Sequence, residues 1–442
     1  MSVAGQILRK QLVKKGSDIT VFEKNETHYY QPGFTMLSGG LLGSKEEDVV
    51  KASAGLLYRP VESVFDEQIN IVRDEVGEFD PKQNKVITKA GKSYTYDYLI
   101  VACGNKLRYD LIEGAVDALN DPESSVGSMY DFTYAKKINQ LRAKFNGGKI
   151  IATQAPMPIK CAGAPQKWVN LCEESMRVKG IRSACDIHFY TALPAMFGVK
   201  KYSDELYRLA TSKHIHAHFE YDVQKVDHQR KKVYLKKIGP KSTKNEVVIE
   251  SFDLLHLVPP QRPHDFVAKA AFCNDAGYVD VNKHTLQSTR FSNVFALGDC
   301  SSLPTSRTAA AVFSQSPILV YYLERQMLID AKTTTSTSTA TPITTTVAYD
   351  GYTSCPIFVG DKKLMLAEFL YDGQVSETFA RFVDQRTPTT YFYYLKRYVF
   401  PHVYWNYVPL AQWFGRNGFN PPHFFLQTPS LSSGHQALHK SH

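Results

Sequence analysis

The sequence predicts an α/β protein with two Rossmann-like, dinucleotide-binding-type domains and a C-terminal aromatic region. Three observations predict it. Strand-like and helix-like runs alternate along most of the chain, as in "GGKIIATQ" followed by "QKWVNLCEESMRV". The chain opens as a helix, a tight turn and a short strand ending in Glu23, the second half of a βαβ unit. Far downstream, "NVFALGDC" delivers Asp299 from a strand, through a glycine turn, to the N-terminus of a long helix.

Each element follows from its pattern. In "SVAGQILRKQLVKKG", Val3, Ile7, Leu8 and Leu12 fall at helical spacing, and Gly16 suits a C-cap. "DITVFEK" is a strand. No strand and no GxGxxG precede this helix, so the first domain is expected to lack its opening strand and glycine turn, as in an N-terminally truncated chain. Residues 61–110 read as β-rich and close on the buried strand "YLIVACG". A second α/β region follows: strand "GGKIIATQ", helix 165–179, strand "CDIHFYT", helix 201–213, strand "HIHAHFEY", then further strands to "NEVVIESFDLLHLVPP". These patterns divide the chain into a first domain of 1–110 with 285–330 and a second of 111–284. A low-complexity insertion covers 331–347, and the C-terminal region 348–442.

Composition narrows the functional classes. With 43% hydrophobic and 21% charged residues, the chain is a folded protein. Its net charge of +9 suits an anionic cofactor or an anionic membrane surface. No helix-turn-helix, zinc-finger or RNA-binding motif is present, which argues against a nucleic-acid partner. The seven cysteines form no CxxC pair, so no metal site is expected. No run of about 18 apolar residues predicts a spanning helix.

Four features carry chemistry. Glu23, at the end of its strand, suits the adenosine ribose hydroxyls of a dinucleotide; the plainer reading is a solvated strand-end acid. Asp299 suits the ribityl chain of a flavin, with the following helix N-terminus stabilising negative charge; the plainer reading is an N-cap. In the second domain the turn "APMPIKCAGAPQK" offers prolines and Cys161 where a pyridine-nucleotide site would place glycines. That argues against NADH or NADPH as donor. Cys355, in "DGYTSCPIF", occupies a similar small-residue turn. Cys161 and Cys355 suit a dithiol–disulfide couple, with Lys160 favouring the thiolate; two inert cysteines are the alternative. The tail "YFYYLKRYVFPHVYWNYVPLAQWFGRNGFNPPHFF", broken by Pro401 and Pro409, reads as short amphipathic helices, either a satellite core or a membrane-interface anchor.

Taken together, "HYYQPGFTMLSGG", "YDYLIVACG", "KCAGAPQK", "GYVDVNKHTLQ", "NVFALGDCSSLPTSRTAAAV" and "YDGYTSCP" resemble the mitochondrial-type sulfide:quinone oxidoreductases. The resemblance implies that Cys161 and Cys355 are the redox-active pair, as a disulfide or sulfur-bridged disulfide beside FAD. It implies that hydrogen sulfide attacks this pair and leaves a persulfide on Cys355. A sulfur acceptor such as sulfite or glutathione then removes the sulfur, and a ubiquinone-type quinone takes the electrons at a membrane surface. It assigns Glu23, Gln31, Val76, Asp299 and Lys396 to FAD contacts and places the protein at the mitochondrial inner membrane. Cys103 departs from the family pattern and reads as a packed strand-end cysteine. Two other readings stay open: a type II NADH:quinone oxidoreductase-like flavoprotein, and a truncated non-catalytic relative.

Overall fold

The opening helix forms where apolar spacing and packing agree. In the structure, a computed structural model describing residues 1–53, 55–240, 246–334 and 347–427, it spans Ser2–Arg9 and buries Val3 and Ile7 in one core with Ile318 and Leu319 of the long helix Ala309–Thr334. It ends well before Gly16, because Gln11 takes a left-handed φ of 54° and breaks the helical run. Leu12 is buried in the same core, so its apolar character marks packing rather than one more turn of helix.

Two short parallel pairs follow from the β-rich stretch. Thr20–Phe22 pairs with Asn70–Val72, and Leu99–Val101 pairs with Val294–Ala296. The second α/β region builds a five-stranded sheet in the order Val126–Gly127, Leu254–His256, Gly148–Gln154, Cys185–Thr191, Ile215–Phe219, parallel throughout. Its central strand Gly148–Gln154 is buried over its last five positions, as expected of a strand covered on both faces. Helices Ala164–Val178 and Lys200–Ser212 lie within a residue of their sequence-predicted spans.

The C-terminal region contributes a hairpin, Thr353–Gly360 with Lys363–Phe369, that packs against helix Ala164–Val178. Cys355 and Ile357 share a core with Trp168, Val169 and Met176 of that helix. Helix Ala309–Thr334 continues into the predicted insertion as far as Thr334, and residues 335–346 lie outside the described residues. The aromatic tail forms the α-helix Thr390–Tyr394, a π-helical turn Leu395–Val399 and the α-helix Phe400–Asn406. Pro401 does not break it: it lies in the first turn of Phe400–Asn406, directly after the π-helical turn. Among the described residues no helix is long and apolar enough to cross a membrane.

Candidate active site

Helix Ala164–Val178 and the hairpin bring Cys161 and Cys355 together. Cys161 ends the connection from strand Gly148–Gln154, with a left-handed φ of 88° that few residues other than glycine adopt. Cys355 lies within strand Thr353–Gly360 and is wholly buried. Their sulfurs stand 3.6 Å apart, both as free thiols. Gly163 permits this approach: a Cβ there would stand 2.7 Å from the Cys355 sulfur.

The electrostatics divide the pair. The hydrogen bond from Cys355, opposed by burial and aided by Lys167, brings the Cys161 thiol down to about 5. The same bond, with burial, holds Cys355 well above the ordinary thiol range. Lys167, itself buried, donates to the Cys161 sulfur at 3.4 Å. Burial pulls its pKa down, but the two thiols outweigh that and raise it. The cation beside the thiolate is therefore Lys167 and not Lys160, whose ammonium donates to Gln31 Oε1 at 2.9 Å. Lys167 was legible: it falls six residues past Cys161 on the first turns of the helix that follows, within the quoted motif.

Cys161 lies in the wall of a cavity of about 770 Å³. Of the other sequence-predicted residues, Gln31, Asp299 and Lys396 also line it; Glu23 and Val76 do not. Lys396 is buried, donates to the Pro32 carbonyl at 3.2 Å and lies over the Tyr30 ring. Burial, then the neighbouring Lys167, lowers its pKa to about 7. Asp299 sits in the 3-10 turn Gly298–Cys300, and its loss of solvation raises its pKa. It does not cap the long helix, which starts only at Ala309 and takes its cap from Thr308, whose hydroxyl accepts from the Ala311 N–H at 3.1 Å. An intervening loop supplies Arg307 instead. Asn105 joins the two sides, donating to the Asp299 carbonyl at 2.9 Å and accepting from Arg307 at 2.8 Å. Asn105 and Arg307 carry no pattern that periodicity detects.

Glu23 follows strand Thr20–Phe22, and its carboxylate accepts from the backbone and side chain of Asn25, each at 2.8 Å. Val76 opens strand Val76–Asp80 and pairs with Thr88. Cys103, expected to be packed, is exposed: strand Leu99–Val101 ends two residues before it, and its neighbours Ala102 and Gly104 line the cavity. At the far end the cavity reaches the tail through Tyr391, Leu395, Val399, Phe400 and Phe419. It thus joins the Cys161 thiol to an aromatic mouth.

A cysteine pair set in a doubly wound α/β frame defines a class. Residues 2–314 match the family model described as pyridine nucleotide-disulphide oxidoreductase. Within that class, the chain is 37% identical over 417 residues to the mitochondrial sulfide:quinone oxidoreductase of Schizosaccharomyces pombe, covering 93% of this chain and 85% of the relative. It is 35% identical over 436 residues to that of Dictyostelium discoideum, covering 98% and 88%. The chain belongs to the sulfide:quinone oxidoreductases. The crystal structure of the Aquifex aeolicus enzyme of that name superposes with a TM-score of 0.70 at 17% identity, covering 93% of this chain and 89% of that one, and so shares the fold.

Proposed function

We propose that the chain oxidises hydrogen sulfide at Cys161 and Cys355 and delivers two electrons, by way of bound FAD, to a ubiquinone-type quinone at the mitochondrial inner membrane. The observation that carries this reading is the Cys161 sulfur, in the wall of a cavity that opens among aromatic side chains, with the buried Cys355 sulfur 3.6 Å behind it. Two thiols at that distance need only a small movement to reach disulfide length, about 2.05 Å.

Starting from the disulfide, a sulfide ion attacks the Cys355 sulfur. The S–S bond breaks, its electron pair leaves on Cys161, and a persulfide remains on Cys355. Lys167 makes Cys161 the better leaving group by stabilising its thiolate, and exchange is faster when the leaving thiol has a low pKa. A sulfur acceptor such as sulfite or glutathione then takes the outer sulfur from Cys355. A bound flavin supplies the two-electron relay between thiol and quinone. The cavity's chemistry suits it. Tyr30, Met129 and Tyr130 offer apolar walls, while Lys160, Gln31, Asp299 and Lys396 offer polar edges. Gly104, at φ 72°, adds no side chain and leaves open space where a Cβ would point. Glu23 and Val76, outside the cavity lining, are assigned to the remaining contacts of the same cofactor.

The test is an anaerobic visible spectrum of the purified protein, followed by steady-state quinone reduction. Sulfide bleaches a flavin band and quinone restores it. Cys161→Ser and Cys355→Ser each lose sulfide-driven quinone reduction by about 10³-fold or more, as loss of a nucleophile does. Full activity in either variant, or bleaching by NADH and not by sulfide, overturns the reading.

A further inference from the structure

The cavity carries an imidazole–phenol pair that the thiol chemistry does not use. His28 lies on the short strand Thr27–Tyr29 and Tyr404 on helix Phe400–Asn406, and both line the cavity. His28 Nε2 and the Tyr404 hydroxyl stand 2.7 Å apart, a short hydrogen bond, and the two rings lie at 15° to each other with centroids 6.0 Å apart. Trp405 holds the imidazole from the side. Its ring stands edge-on to His28 at 5.8 Å, and its indole N–H donates to the Leu56 carbonyl at 2.8 Å. Tyr404 is buried, whereas His28 is half-buried. Among the described residues His28 Nδ1 has no protein partner, which leaves that nitrogen to water. Burial lowers His28 to about 4 and raises Tyr404, so at neutral pH both groups are uncharged.

Phe400, Val403 and Tyr404 recur at helical spacing and line the cavity on one face of their helix, with Phe400 at the mouth. Tyr404 packs on Tyr30 with centroids 4.7 Å apart, and Tyr30 adjoins Gln31 and Pro32, which accept from the Lys160 and Lys396 ammonium groups. The phenol thus stands between the aromatic mouth and the polar edge suited to a flavin. The lysines of the lining each bond a fixed acceptor, Lys167 at the Cys161 sulfur among them. Tyr404 is the lining phenol with an imidazole behind it to replace a proton it gives away.

Reduction of a quinone to the quinol takes an electron pair and two protons. The electron pair arrives with one proton as a hydride equivalent, and the second proton is left to the protein. We propose, on the basis of the quinone-reducing function above, that Tyr404 donates this proton to the quinone carbonyl oxygen and His28 relays its replacement from water. With the imidazole proton on Nε2, the ring donates to the phenol oxygen and the phenol O–H turns to the cavity. The Tyr404 O–H bond breaks as the quinol O–H bond forms. The phenolate takes the Nε2 proton while Nδ1 takes one from water, so no charge stays buried. Exchange with water returns the ring to its first tautomer. Tyr404 is the catalytic residue of this step, and His28 acts through it.

Stopped-flow reoxidation of the full, flavin-loaded protein is the test. The protein is reduced with dithionite, so the result does not depend on the sulfide chemistry. It is then mixed with a short-chain ubiquinone or with ferricyanide, which takes electrons without protons. Tyr404→Phe removes one oxygen and keeps the ring. It is expected to slow reoxidation by quinone by about 10²-fold, as loss of a general acid does. Reoxidation by ferricyanide and quinone binding to the oxidised protein, read by equilibrium dialysis, are expected to stay as in the wild type. His28→Ala slows the quinone step as well, and added imidazole restores part of the rate, which a merely structural loss does not allow. It carries the test even if Tyr404→Phe fails to fold. Wild-type quinone rates in Tyr404→Phe, equal slowing with both oxidants, a loss of quinone binding that accounts for the slowing, or a His28→Ala protein that imidazole does not rescue each overturn the proposal. Failure of the Cys161–Cys355 reading has a different signature: a wild-type flavin that sulfide does not bleach, yet that quinone reoxidises after dithionite.

Discussion

At Cys161 a thiol hydrogen bond and a buried ammonium act on one sulfur, and both favour its thiolate over the opposing effect of burial. The sign of the pH dependence follows. The thiolate is present above about pH 5 and is lost as pH falls through that value, so alkylation of Cys161 slows below it. Lys167→Met removes the cation and is expected to move this midpoint up by about one to two units. Lys160→Met leaves it in place, because Lys160 is engaged with Gln31. Rates of iodoacetamide labelling against pH, read by mass spectrometry at Cys161, separate the two variants. A midpoint that moves with Lys160 and not with Lys167 would contradict the geometry. The sequence offered two lysines, Lys160 next to Cys161 and Lys167 six residues on. Only the helical path from Ala164 decides which ammonium faces the sulfur.

At the scale of elements, the site depends on how closely helix Ala164–Val178 approaches the hairpin strand Thr353–Gly360. Gly163 sets that closeness, since an added Cβ would meet the Cys355 sulfur at 2.7 Å and Ile357 at 3.2 Å. Gly163→Ala is expected to cost about 1–3 kcal/mol in urea unfolding, the usual range for overpacking, and to reduce quinone reduction by pushing the sulfurs apart. Unchanged stability and turnover would show that the contact yields freely. The strands and helices around this contact were legible because buried parallel strands and amphipathic helices leave strong periodic signals. The opening helix was overrun because Leu12 is apolar for packing reasons outside the helix. The place of Asp299 was misjudged for a different reason. A glycine turn after a strand signals a helix to come but not how many loop residues intervene, and here they carry Arg307.

The whole molecule presents an aromatic face around the cavity mouth. Tyr394 and Tyr398 stack there with centroids 5.8 Å apart and are 48% and 57% exposed, and neither lines the cavity. Replacing both with Glu is expected to lower cosedimentation with cardiolipin-containing vesicles several-fold while a water-soluble short-chain quinone is still reduced. Equal loss with both assays would place these tyrosines in catalysis instead of docking. Aromatic richness was plain in the sequence, but its opening into the same cavity as Cys161 was not, because no local pattern encodes contacts across so many residues. That same distance has a consequence for heat tolerance. Cys161 and Cys355 are 194 residues apart, so a bond between them staples the C-terminal hairpin to the central sheet and restricts the unfolded chain, by about 5 kcal/mol in the entropic limit. Opening and closing that staple with each turnover makes the resting oxidised protein the more heat-resistant form. Sulfide added without an acceptor is then expected to lower its melting temperature by several degrees, so the substrate itself loosens the molecule it feeds.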